Sequence, residues 1–226
     1  TLAGFLPSLV ELSDAGPGLH TLYASPLKAL AADIGRNLRA PVAEMGLAIR
    51  IEDRTGDTPQ SQRRRQRADP PQILLTTPES LALMLSQEEA PRLFARLRRI
   101  VVDEIHALAG TRRGDQLALC VARLGTLAPG RRLTALSATI EDPAAYARWL
   151  APGGCAILEA DPGPDPDISI LEAAGDPPWA GMGGRYAAGA VMELIRTHRT
   201  SIVFINTRAQ AELFFRALWE ANAEDL

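Results

Sequence analysis

Ile100-Val101-Val102-Asp103-Glu104-Ile105-His106 decides how this chain is read, because three β-preferring residues run directly into two adjacent carboxylates. A short apolar run without polar alternation predicts a strand covered on both faces, as in parallel sheets. Open α/β sheets place ligands at the carboxyl ends of their strands, so Asp103 and Glu104 are predicted to stand at a ligand site. Similar runs lie outward at residues 19–24, 49–52, 73–76 and 133–136. Helical patterns fall between them, at residues 1–14, from Ser25 to about Leu38, around Arg63 to Arg67, and at 115–127. Strands alternating with helices in this way predict an α/β fold, a doubly wound parallel sheet.

An apolar strand closed by Asp-Glu has the Walker B form. The Asp of such a pair holds a Mg²⁺ that bridges two phosphates, and the Glu orients and deprotonates the attacking water. Taken as a bare string, the pair is equally a strand end with solvated acids. A metal-dependent nuclease would also use paired acids, but it would need further carboxylates at neighbouring strand ends, which carry Ser25, Thr77 and Ser137. A non-catalytic nucleic-acid-binding module has no use for the pair.

Composition narrows the class. The 226 residues are 46% apolar, enough to bury a sizeable core. A net charge of −3 gives no overall basic field, so any nucleic-acid contact must be a local patch. Cys120 and Cys155 are too few for a disulfide framework and lack metal-ligand spacing, which predicts a reducing, cytoplasmic setting. No apolar run is long enough for a membrane span, and no charged segment leads into a secretory signal. Lys28 is the only lysine among 24 basic residues, a bias that hints at a GC-rich genome.

Asp103 to His106 spells Asp-Glu-Ile-His, which resembles the DExH box of superfamily 2 helicases. The stretch 102–117, VDEIHALAGTRRGDQL, resembles more narrowly the large-helicase-related group and, within it, the bacterial DExH helicases associated with a DNA ligase. The resemblance covers nearly the whole chain. It implies a RecA-like P-loop NTPase motor domain, Mg²⁺ and ATP as cofactors, and Asp103 and Glu104 as the catalytic carboxylates. Further motifs follow in the family's order. Thr1 matches the last residue of the phosphate loop, whose hydroxyl would ligate Mg²⁺ beside Asp103; the loop's glycines and lysine are not in this sequence. An N-terminal nucleophile role for Thr1 is the alternative that its position allows.

Ser25-Pro26-Leu27-Lys28 resembles motif Ia, in which a helix N-terminus and a lysine hold a phosphate of the nucleic acid; Ser25 and Pro26 also read as a plain helix start. Arg54-Thr55-Gly56-Asp57 resembles a second strand-contacting turn, with Asp57 alternatively capping the helix that carries Arg63, Arg64, Arg65 and Arg67. Those arginines are either a solvated face or an electrostatic grip. Thr77-Pro78-Glu79 resembles motif Ib, and equally a helix cap with Pro in the first turn. Ser137-Ala138-Thr139 has the form of motif III, placed so that its hydroxyls can bond His106 or the carboxylates and couple nucleotide state to the rest of the site. Cys120 lies on an apolar helix face and reads as core.

Composition changes near residue 161, where Asp-Pro-Gly-Pro-Asp-Pro reads as a linker. The expected division is a first motor domain at 1–161, a linker and short strand at 162–184, and the first part of a second motor domain at 185–226. Within the latter, a helix at 185–198, a strand at 201–205 and a last helix to about Glu220 are expected, and Asn206-Thr207 after the strand resembles the nucleic-acid-facing end of motif IV. The function that the resemblance implies is ATP-driven translocation on, and unwinding of, DNA, in bacterial DNA repair near the nucleoid, with a DNA ligase and a nuclease as partners. Backbone contacts to a single strand predict sequence-independent, salt-sensitive binding, and RNA is the nearest alternative substrate. The arginine finger of motif VI is not in this sequence, so these residues alone are expected to hydrolyse little or no ATP.

Overall fold

A computed structural model describes residues 2–13, 16–138, 140–160, 163–171 and 184–223. The chain divides into two compact units, Thr1–Glu159 and Ala160–Leu226. In the first, five parallel strands lie in the order β2-β3-β1-β4-β5, with β1 at Thr21–Ala24, β2 at Ile51–Arg54, β3 at Ile73–Thr76, β4 at Arg99–Val102 and β5 at Arg132–Ala135.

Alternation along each strand sorts the core into two layers. Tyr23, Ile73, Leu75 and Val101 face α1 (Leu2–Leu12) and α2 (Lys28–Glu44), against Phe5, Leu9, Ile34 and Leu38. Leu22, Leu74, Ile100 and Val102 face the opposite way, toward α4 (Pro78–Leu85), α5 (Ala90–Phe94) and α6 (Arg112–Leu127), against Leu81, Phe94, Leu117 and Leu124. Both faces of the central strands are therefore apolar, which is why they read as unbroken runs. α3 (Gln60–Ala68) flanks the β2 edge, and α7 (Pro143–Leu150) adds Leu150 to the α6 side. β1 and β4 are neighbours, and the helices that follow them, α2 and α6, cover opposite faces. Open α/β sheets bind ligands beyond the carboxyl ends of two such strands.

Helix boundaries depart from expectation where local chemistry was misread. The N-cap of α2 is Leu27, not Ser25, whose hydroxyl instead donates to the Leu27 carbonyl at 2.8 Å. Asp57 does not cap α3; Pro59 holds that position. Thr77 does precede Pro78 at the start of α4, without a side-chain bond to the helix amides. α6 begins at Arg112, three residues before its apolar stripe suggested, because Thr111 caps it by accepting the Gly114 N–H at 3.1 Å. Pro7 sits within α1.

In the second unit, a 3₁₀ turn at Arg185–Ala187 leads into α8 (Ala188–Thr197), and α9 (Arg208–Ala223) packs on α8. Ala188 and Phe214 are its buried apolar residues among those described. The strands expected at 168–171 and 201–205 are not formed. A strand exists only through its ladder, and among the described residues of this unit no neighbouring strand supplies one. Ile202 and Phe204 remain exposed there, as do Ile168 and Ile170.

Candidate functional site

The carboxyl end of β4 places Asp103 and Glu104 beside the end of β1. Asp103 still belongs to the sheet, since its N–H donates to the Ala24 carbonyl at 2.9 Å. Two residues beyond Val101, it also keeps the face on which Tyr23 lies. The Tyr23 hydroxyl donates to Asp103 Oδ2 at 2.7 Å, and the Glu104 N–H donates to Oδ1 at 2.9 Å. Burial, then the bond to Asp103, hold the Tyr23 phenol far above its ordinary pKa, so it stays a donor. Its ring packs on Phe5 of α1, with centroids 5.3 Å apart.

Glu104 takes the left-handed conformation, φ +50°, and it is the one described non-glycine residue to do so. The chain turns there out of the strand into a 3₁₀ turn, Ile105–Ala107, which the Ile105 N–H anchors to the Leu136 carbonyl at 3.1 Å. The side chain of Glu104 is thereby aimed away from the ladder. Such strain is retained where the surroundings enforce it, and it concentrates at functional sites. His106 Nδ1 lies 2.7 Å from Ser137 Oγ and 3.3 Å from Glu104 Oε2, so the end of β5 and the acidic pair meet through one imidazole.

Oxygen donors of this kind suit a hard cation. Each Asp103 oxygen accepts one hydrogen bond and keeps lone-pair capacity, as a Mg²⁺ held by one carboxylate, waters and substrate phosphates requires. Among the described residues no group of three or more His, Cys, Asp or Glu could hold a metal by itself. Thr1 and Thr139 lie outside the described residues.

The turns expected to meet nucleic acid line the same end of the sheet, but their exposed groups differ from those expected. Ser25, Pro26, Thr55, Thr77 and Pro78 are buried. Arg54 is buried as well, with Nη1 unpartnered and its pKa lowered chiefly by desolvation, so it offers no guanidinium to the surface. The groups that reach solvent are Lys28, Gly56, Asp57 and Glu79. Lys28 Nζ donates to both Asp57 oxygens, at 2.8 and 2.9 Å, tying the β1–α2 turn to the turn after β2. Arg63, offered above as face or grip, braces that turn by donating to the Thr55 and Gly56 carbonyls at 3.1 and 2.8 Å. In the second unit Asn206 and Thr207 are exposed, and Thr207 Oγ1 accepts the Gln210 N–H at the start of α9.

Tyr23 and Arg113 were not singled out from the sequence. Tyr23 is one apolar-run residue among several, and only the register places it under Asp103. Arg113 Nε donates to Glu79 Oε1 at 2.5 Å, and Nη2 donates to the Pro26 carbonyl at 2.8 Å. The hydrogen bond from Arg113 holds the Glu79 carboxyl below its ordinary pKa.

A parallel RecA-like sheet, with an acidic pair at the carboxyl end of a central strand and a hydroxyl-bearing turn beside it, defines the class: a domain of the nucleoside-triphosphate-dependent motor type. The DEAD/DEAH box helicase model matches residues 1–146, and the chain belongs to that family.

Over 99% of its length the chain is 39% identical to the Lhr helicase/probable uracil glycosylase of Mycolicibacterium smegmatis, spanning 16% of that protein. It is 35% identical over 94% of its length to the ATP-dependent helicase Lhr-Core of Methanocaldococcus jannaschii, spanning 27% of it. The solved structure of Mycobacterium smegmatis helicase Lhr bound to ssDNA and AMP-PNP superposes with a TM-score of 0.75 at 36% identity, covering 99% of this chain and 31% of that one. The helicase MrfA, at 24% identity and a TM-score of 0.79, shares the fold.

Proposed function

We propose that these residues form part of an ATP-dependent helicase or translocase acting on single-stranded DNA. The observation that carries this reading is the join at the β4 end: Asp103 held by Tyr23, Glu104 turned out of the strand, and His106 bridging Glu104 to Ser137. In this reading Asp103 holds the Mg²⁺ that, when bound, neutralises charge on the phosphates of ATP. Thr1 contributes its hydroxyl to the same ion. Glu104 orients the water that attacks the γ-phosphate, and His106 with Ser137 and Thr139 registers whether that phosphate is present.

Lys28 and the turns at Arg54–Thr55, Ser25–Pro26 and Thr77–Glu79 line the path of the strand, and Asn206 and Thr207 are further nucleic-acid-contacting residues by their resemblance to the end of motif IV. Because Ser25, Thr55 and Thr77 are buried, this reading gives the direct phosphate contact in the first unit to Lys28. Support for DNA comes from the likeness to a helicase solved with ssDNA. Work in DNA repair beside a ligase and a nuclease, in the bacterial cytoplasm at the nucleoid, is the finer part of the proposal and rests on the resemblance of residues 102–117 to the ligase-associated helicases.

The test is Glu104→Gln in the full-length protein. Nucleotide binding is expected to persist, while ssDNA-stimulated hydrolysis falls by about 10²-fold or more. Unchanged hydrolysis would overturn the proposal. Single-stranded RNA in the same assay separates the two substrate classes, since backbone contacts alone do not read the 2′-OH.

A further inference from the structure

We propose that Arg113 is the positioning residue that carries the nucleotide state from the acidic pair to the nucleic-acid-facing turns, an inference that rests on the function proposed above.

Its guanidinium makes two bonds to two different turns: Nε to Glu79 Oε1 at the start of α4, and Nη2 to the Pro26 carbonyl in the β1–α2 turn. Both turns resemble strand-contacting motifs; the β1–α2 turn also follows directly on Ala24, which accepts the Asp103 N–H, and Arg113 joins the turn at α4 to it. The planar fork of arginine serves two acceptors at once, which a lysine ammonium on a flexible stem does not reproduce.

What makes Arg113 a transmitter is how firmly its backbone is tied to the acidic pair. From Glu104 the chain runs through a continuous series of short bonds: the Ala107 N–H to the Glu104 carbonyl at 2.9 Å, the Leu108 N–H to Ile105 at 3.0 Å, and the Thr111 N–H to Leu108 at 3.1 Å. Thr111 Oγ1 donates to the same Leu108 carbonyl at 2.6 Å and accepts the Gly114 N–H at 3.1 Å. Gly114 then seats α6 directly on this segment. A Cβ at that position would overlap the Leu108 carbonyl and press on the Trp149 ring, so only glycine permits the approach. A shift at Glu104 and Ile105 is passed along this series of bonds to Arg113, and through it to both turns.

The pair's contribution to stability is small by comparison. Arg113 and Glu79 are 45% and 48% exposed, and exposed ion pairs add little to folding. A residue kept only for stability would leave communication between sites untouched.

The experiment measures the affinity of the full-length protein for fluorescent single-stranded DNA with and without a non-hydrolysable ATP analogue. The ratio of the two affinities is the readout, because a direct loss of phosphate contact cancels from it. Coupled sites typically show ratios of about 5- to 150-fold. Arg113→Ala and Arg113→Lys are expected to bring the ratio to within about 2-fold of unity, since neither side chain serves both acceptors. Glu79→Gln, which keeps the shape and loses the charge, is expected to lower it part of the way. If Arg113→Ala does not fold, Arg113→Lys and Glu79→Gln carry the test. A wild-type ratio of unity would overturn the helicase reading and this inference with it. A coupled wild type with equally coupled Arg113 variants would overturn this inference alone.

Discussion

Tyr23 on β1 holds Asp103 at the end of β4 by a hydroxyl-to-carboxylate bond of 2.7 Å, across 80 residues of sequence. The register explains the meeting: Tyr23 pairs with Val101, so the aromatic ring and the carboxylate two residues further on project from the same face of adjacent parallel strands. Phe5 backs the ring, and the buried phenol has its acceptor in the acid.

Tyr23→Phe keeps the ring and deletes this bond. Hydrogen bonds to a charged group contribute roughly 1.5–3 kcal/mol, so a loss of about 2 kcal/mol is expected in urea unfolding of this chain, with an unchanged m-value. In the full-length protein kcat should fall further than KM rises, because Asp103 loses its orientation while the substrate surfaces stay intact. A variant as stable as the parent would show that the bond is not made in solution.

At Glu104 the usual order of Gly and Ala should invert. In regular structure Ala is more stable than Gly by roughly 0.5–1 kcal/mol, but a left-handed φ penalises any Cβ by about 1–2 kcal/mol. With φ at +50°, Glu104→Gly is expected to be more stable than Glu104→Ala by about 1 kcal/mol in thermal or urea unfolding. Both should abolish ssDNA-stimulated hydrolysis. The reverse order would place Glu104 in an ordinary extended or helical backbone.

In the function proposed above, Asp57 competes with phosphate for Lys28, whose ammonium it binds. Freed by Asp57→Asn, Lys28 should bind single-stranded DNA severalfold tighter at low salt, whereas Lys28→Ala should weaken it and reduce the slope of log K against log salt by about 0.7, the value of one contact on a single strand. Fluorescence anisotropy across a salt series reads both. Weaker binding by Asp57→Asn would mean that the pair orders the turn more than it masks the lysine.

At the opposite end of the sheet, Arg99 donates to Glu11 at 2.6 and 2.8 Å, and His20 Nε2 lies 3.3 Å from the same carboxylate, with Arg98 and Arg132 nearby. The bond from Arg99 lowers the Glu11 pKa below its ordinary 4.5, and burial lowers that of His20 below 6.5 against the pull of Glu11. Both shifts leave the unfolded chain holding more protons, so each favours unfolding as pH falls. The histidine contribution begins below pH 6.5; the Glu11 contribution is complete above 4.5 and is lost as pH falls through the lower folded value. Stability should therefore decline in two stages on acidification, and His20→Gln should flatten chiefly the upper stage, since the larger hold on Glu11 is the bond from Arg99. Denaturant midpoints at intervals of pH read this directly.

The central strands were legible because burial on both faces leaves unbroken apolar runs, and residues 73–76 were bounded to the residue. The β4 end was legible for a related reason: the acidic pair follows directly on such a run, at the strand end where open α/β sheets place ligands. Helix starts were less so, since Ser25-Pro26 spells a cap, yet the serine hydroxyl turns to the Leu27 carbonyl. At 201–205 the side chains favour a strand, but propensity does not supply the neighbour that a ladder needs.

Sequence alone determined the five strands of the first unit and their alternation with helices, the two-sided burial of the central strands, and the place where acids leave the sheet, because each follows from local periodicity and residue chemistry. Only the tertiary structure decided that Tyr23 holds Asp103, that Asp57 covers Lys28, that Arg54 is buried, and that Arg113 joins Glu79 to Pro26. Those are contacts between residues 29 to 87 positions apart, or burial beneath them, fixed by strand order and register, which no local pattern in the chain encodes.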